Sequence, residues 1–341
     1  MGPAGPAGAA GKQGPAGAQG PAGAQGPAGP AGAGAQGPQG PEGRPGLGLN
    51  PIQIGMLRWY AALGNAEFEV DSKPSALAFD GENIWVSHPG SRMITKVRPS
   101  DGAVQGTFDM GATAADPGSI VFDGANLWVS TQAGEVRQIR TRDGALVGTV
   151  AIGNAPSALA FDGAGLWVAV RTNDAVLQLQ TKTGAAVGAL SLPAGAAPSG
   201  VAFDGANIWV THAGDNTVSK IRISDNTVLG TYKVGQSPGA IAFDGQSMWV
   251  VNQVSNTVTK VLAKDGSIQG TFLVGQKPAG VAFDGNYIWV TNQGSNTVTK
   301  LRALDGSAQG TFPTGPAPAG IAFDGANIWI ANSGSNTLSK R

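Results

Sequence analysis

The sequence predicts an all-β fold, seven like blades closed in a ring as a β-propeller, behind an extended N-terminal segment. Three observations carry that expectation. Phe-Asp-Gly with a tryptophan six residues after the phenylalanine recurs seven times, starting at Phe79, Phe122, Phe161, Phe203, Phe243, Phe283 and Phe323. The spacing, about 40 residues, is the length of one four-stranded blade. Ahead of the repeats, glycine holds every third position from Gly2 to Gly32 and, after a one-residue slip, from Gly34 to Gly46. Finally, the last copy stops at Arg341, after its third strand, and a segment near residue 70 matches the missing fourth.

Within the sixth copy, Gly280 to Phe283 reads as the first strand and Asp284-Gly285 as its turn. Ile288 to Val290 follows as the second, Thr297 to Leu301 as the third, and the segment from Gly310 to Thr314 as the fourth. Apolar residues on both faces demand cover on both sides, as between stacked blades. The seven tryptophans are therefore assigned to packing between blades, and the aspartates of the signature to their turns rather than to metal. Proline stands five residues before each signature phenylalanine, from Pro74 to Pro318, where the chain passes to the next blade and no amide donor is needed.

Residues 66 to 71 are expected to complete the last blade. Phe68, Val70, Lys73 and Pro74 fall in register with Phe272, Val274, Lys277 and Pro278. Such a seam pairs an edge that would otherwise be exposed.

Residues 1–46 read as a collagen-like stalk, because only glycine fits the axis of three wound polyproline chains. Prolines fall at the X position, as in Pro3, Pro6 and Pro15, with Pro45 the lone one at Y. That is the pattern of a triple helix built without prolyl hydroxylation, and it implies a homotrimer. Residues 47–65 form a short stem or linker. Asn50-Pro51 is a helix start, Gly64-Asn65 a stop, and Ile52, Met56, Leu57, Tyr60 and Leu63 recur at helical spacing. This helix either trimerises or packs on the propeller, which spans 66–341.

Bulk numbers exclude several classes. Lys plus Arg equals Asp plus Glu at 22 each, which gives no electrostatic case for nucleic acid. Cysteine is absent, which removes disulfides and thiolate chemistry. No apolar run approaches the roughly 18 residues of a membrane-spanning helix, so membrane insertion is not expected.

The segments Trp289-Val290-Thr291-Asn292-Gln293-Gly294-Ser295-Asn296-Thr297-Val298 and Val274-Gly275-Gln276-Lys277-Pro278 resemble the repeats of YVTN-type surface-layer propellers. That resemblance covers nearly all of residues 66 to 341. It implies an extracellular or envelope-associated protein, although tryptophan stands here where that family's name places tyrosine. A weaker resemblance, in the Pro-x-Gly-Ile-Ala strand and the tryptophan strand, is to streptogramin (virginiamycin B) lyases, whose chemistry implies a metal near histidine and glutamate.

Candidate site residues lie where the second strand runs into the loop face. The third position after each tryptophan reads His88, Thr131, Val170, His212, Asn252, Asn292 and Asn332. Arg171, in the loop of blade three, adds a cationic donor suited to a carboxylate or sulfated sugar. The two histidines fall in blades one and four, nearly opposite around the ring, too far apart for one metal and without a carboxylate at the same register. They are expected at the surface within a polar asparagine ring. With no metal or cofactor expected, the sequence points to a non-enzymatic extracellular, cell-surface or virion-surface protein. Its stalk would present propeller heads for structural or multivalent roles, with a glycan or surface polymer as ligand. The alternative is a metal-dependent lyase-like propeller.

Overall fold

The computed structural model describes residues 66–111, 116–153 and 156–341. The expectations for the stalk and the stem, 1–46 and 47–65, lie outside the described residues. The described residues form seven four-stranded antiparallel sheets arranged as a propeller, and their sole helical element is a 3-10 turn at Arg171–Asn173.

Blade five shows the plan. Its strands run Pro238–Phe243 innermost, then Ser247–Asn252, Thr257–Leu262 and, outermost, Ile268–Leu273. The second strand is buried along its whole length, as a strand sandwiched between neighbouring blades must be. The outer strand alternates between exposed and half-buried residues. In blade six the expected strands are all present; the first three run a residue or more longer, for example Pro278–Phe283 and Tyr287–Asn292, and the fourth spans Ala308–Pro313, starting earlier and ending one residue before Thr314. Proline opens the inner strand in blades two to seven, where its missing donor is harmless.

The signature is explained by one local hydrogen-bond network. In every blade the aspartate Oδ2 accepts the tryptophan indole N–H at 2.7 Å. Its Oδ1 accepts main-chain N–H groups of the turn, as Asp244 does from Gln246 at 2.8 Å and Ser247 at 2.6 Å. Glycine follows because the turn needs positive φ, +93° at Gly245. The indole is then held flat between blades: Trp85 packs with Ile120, Leu127 and Val129 of blade two, and Trp249 with Ile288 and Val290 of blade six. Each such tryptophan removes roughly 200 Å² from water, at most about 5 kcal/mol.

The ring closes at the seam foreseen in the sequence. Ala66–Glu69 pairs antiparallel with Thr337–Lys340, and Phe68 packs at a tilt of 33° against Trp329 with centroids 5.4 Å apart. Phe68, Val70 and Trp329 share a core with Leu77, Ile84 and Val86 of blade one.

Candidate ligand-binding face

The loops from second to third strand and the connections between blades emerge on the same face, and asparagine ties them together. Asn216, Asn256, Asn296 and Asn336 stand in the left-handed region at φ 62°, 56°, 54° and 58°. Each offers its side-chain oxygen to the main-chain N–H just before the next blade's proline: Ser237 at 2.8 Å, Lys277 at 2.8 Å, Ala317 at 2.9 Å and Lys73 at 2.9 Å. Asp174 takes this role in blade three, accepting from Ala197 at 2.7 Å. Asparagine suits the position because it tolerates left-handed backbone and carries the acceptor.

The structure corrects the expectation that the candidate residues face solvent. His88, His212, Asn252, Asn292 and Asn332 are all buried, at 0 to 1 % exposure. They end the second strand with side chains turned into the blade. Asn292 donates to Thr297 at 3.1 Å and Thr299 at 2.9 Å and accepts from the Gly275 N–H at 3.0 Å, bracing strand, strand and connection. Asn252 and Asn332 donate to the equivalent hydroxyls. His212 occupies the equivalent place with Nε2 2.9 Å from Ser219 Oγ, while His88 places Nδ1 3.3 Å from the Ser72 carbonyl. Burial pushes both imidazoles below their ordinary pKa, against the opposing pull of Asp71 and the Ser72 main chain at His88, and of Asp215 and Asp174 at His212. Polar residues ending a strand at the loop face looked solvent-facing in the sequence; the close descent of each connection onto the strand end is what buries them.

Arg171 alone of the candidates is exposed, in the 3-10 turn of blade three, and its guanidinium has no ion pair among the described residues. Nor do three or more histidine, aspartate and glutamate side chains converge as a metal set among the described residues.

A groove that the sequence reading missed lies between blades five and six, on the same face. Its volume is about 500 Å³, and Gln253, Val254, Asn256, Gln276, Lys277 and Gln293 line it. The loop of blade five supplies one wall, with Gln253, Val254 and Asn256. Blades four, six and seven carry Gly214, Gly294 and Gly334 where blade five carries Val254. A Cβ at Gly294 would lie 3.1 Å from the Gln276 carbonyl oxygen, and one at Gly334 2.9 Å from Pro316 Cβ, because the connection presses on the loop. In blade five the corresponding contact is with the connection from blade four, the Val254 N–H lying 3.2 Å from the Gln236 carbonyl, and the valine side chain stands 60 % exposed at the groove. The signal was present in the sequence as one valine among aligned glycines.

A second groove, about 320 Å³, lies on the opposite face at the seam, beside Glu82, Arg98, Asp324 and Lys340. Three of its charges are already engaged: Arg98 with Asp101, Asp324 with Trp329, and Lys340 with the Pro99 carbonyl.

These features define a seven-bladed β-propeller with a loop face unevenly furnished around the ring. Solved structures bear the architecture out. A streptogramin B lyase superposes with a TM-score of 0.71 at 18% identity over 81% of this chain and 96% of its own. Virginiamycin B lyase from Staphylococcus aureus gives 0.70 at 20% identity, over 81% and 98%. Hydrazine synthase of Kuenenia stuttgartiensis gives 0.68 at 19%, over 80% and 96%. At such identities the likeness establishes the fold, and the fold hosts proteins of unlike names. No protein-family model matches the sequence, and no curated protein matches it.

Proposed function

We propose that this chain is a non-enzymatic surface protein of the YVTN-like kind, extracellular, on a cell surface or on a virion. Its collagen-like stalk joins three copies and presents three propeller heads for structural display or multivalent recognition of a surface polymer. One observation carries the reading. The two histidines, the side chains best suited to chemistry, fill buried positions that blades five to seven fill with asparagine, so the frame accounts for them. The coupling has a physical rationale, since tethering three modest sites raises avidity without any new contact.

Sedimentation equilibrium of the full chain tests the assembly. The expected mass is three times 34.1 kDa, and a monomer overturns the display reading. A truncation starting at Leu49 shows whether the stem alone holds three chains together. The likeness to streptogramin lyases favours a second reading, a metal-dependent lyase opening a cyclic ester. That reading requires turnover with magnesium that disappears in His88→Ala or His212→Ala, and a thermal midpoint raised by magnesium or manganese. The display reading expects neither.

A further inference from the structure

We infer that the groove between blades five and six binds a short oligosaccharide carrying a carboxylate. The inference deepens the recognition reading by naming a ligand class and a place for it.

The chemistry of the lining sets the class. Gln253, Gln276 and Gln293 present three primary amides that have no hydrogen-bond partner among the described residues. Each offers a donor and an acceptor side by side, which matches adjacent hydroxyl groups that must both give and take. Lys277 is the one charged side chain in the lining and suits a single acid group rather than a polyanion.

An apolar side chain stands at the same rim. Val254 is 60 % exposed where three sister loops carry glycine. This aliphatic side chain beside three free amides can cover the C–H face of a sugar while the amides take its hydroxyls.

An extended peptide fits less well. Peptides that join a sheet edge need free main-chain groups, and here these are spent. The N–H of Gln253 goes to the Ser237 carbonyl at 3.0 Å and that of Val254 to Gln236 at 3.2 Å. Gln276 donates to Ser295 Oγ at 3.2 Å, Lys277 to Asn256 Oδ1 at 2.8 Å, and Gln293 to the Lys277 carbonyl at 3.0 Å. Recognition therefore falls to the side chains. Between blades six and seven Pro316, Ala317 and Ser333 replace Gln276, Lys277 and Gln293, so the amide-and-lysine set is not repeated there.

The test uses the full chain and a double variant, Gln276→Ala with Gln293→Ala. Both are read on a glycan array and by saturation-transfer NMR with a hyaluronan tetrasaccharide, which carries glucuronate, and neutral cellotetraose. The expected result is array binding to uronate-bearing oligosaccharides, weakened at least roughly tenfold in the double variant by loss of two hydrogen-bonding groups. The thermal midpoint and the assembly mass should not change, because both side chains are outside the core. Lys277→Met should erase the preference for the acidic tetrasaccharide. No glycan bound by the array, binding indifferent to the double variant, or capture of peptides but not glycans through these residues would each overturn the assignment. A trimer that binds no glycan removes this site and leaves the stalked display intact; a monomer that binds through these residues does the reverse.

Discussion

Each signature aspartate serves turn and packing at once, since its two oxygens hold the turn amides and the indole of the following strand. The buried polar residues at the end of that strand are equally committed, and the histidines among them give the protein a pH dependence. A histidine whose folded pKa lies below its ordinary 6.5 takes up a proton more readily when unfolded. Its favourable contribution is therefore complete above about pH 6.5 and declines as pH falls below that value toward the folded pKa. Asparagine is the natural replacement, because three blades already use it at this position. Urea midpoints at pH 7.5 and 5.5 should show that the double variant His88→Asn/His212→Asn loses less stability on acidification than the wild type. Equal losses would mean that these imidazoles do not titrate on unfolding. Asp174, lowered by the main-chain N–H groups of Ala197 and Gly195, acts in a separate window below its ordinary 3.8.

Blade elements interlock through a ring on a glycine. The outer-strand aromatic of one blade lies over the glycine in the last turn of the next: Phe68 on Gly102, Phe108 on Gly144, Tyr232 on Gly266 and Phe272 on Gly306. Those glycines hold φ between +70° and +78°, so both backbone and space exclude a side chain. Lysine reinforces the same junctions. Lys260 donates to the Ala303 carbonyl of blade six at 2.6 Å while lying 5.3 Å above the Trp249 ring, and Lys220 does likewise between blades four and five and Lys96 between blades one and two. Gly306→Ala should cost about 2 kcal/mol or more, since a Cβ would meet the Phe272 ring that is wedged against Trp249. A shift of the urea midpoint equivalent to less than about 0.5 kcal/mol would show that the ring moves aside freely.

Across the ring of described residues every blade packs against a neighbour on either side, so no blade stands alone. Hydroxyls of first and second strands bond the neighbouring blade's inner strand: Ser87 to the Gly118 carbonyl at 2.9 Å, Ser199 to Pro238 at 2.6 Å, and Thr291 to Ala319 at 2.7 Å. The seam between last and first blade has the lysine bond too, Lys340 to the Pro99 carbonyl at 2.6 Å. Removing residues 66 to 71 strips Phe68 from Trp329 and exposes the edge of Thr337–Lys340. The thermal midpoint should fall sharply, and the single unfolding transition should broaden or split as the ring opens. An unchanged midpoint would mean that the seam does not govern stability.

The repeat determined the architecture without help from coordinates. Blade number follows from seven copies of one signature, strand order from turn residues at fixed offsets, and closure from a fourth strand missing at one end and present at the other. Local spacing suffices for these because each blade is a short-range unit that repeats. The fate of individual side chains at the loop face was not legible in that way. His88, His212 and Asn292 read as surface groups because the alternation of strand and loop does not reveal how tightly a connection folds back on a strand end. The groove beside Val254 was likewise hidden, because its walls come from the loops of blades five and six and the connection between them, segments that only packing brings to one rim. Spacing along the chain fixes which elements exist; only the packing of one blade's loop against the next connection decides which polar groups are spent inside and which remain free to meet a ligand.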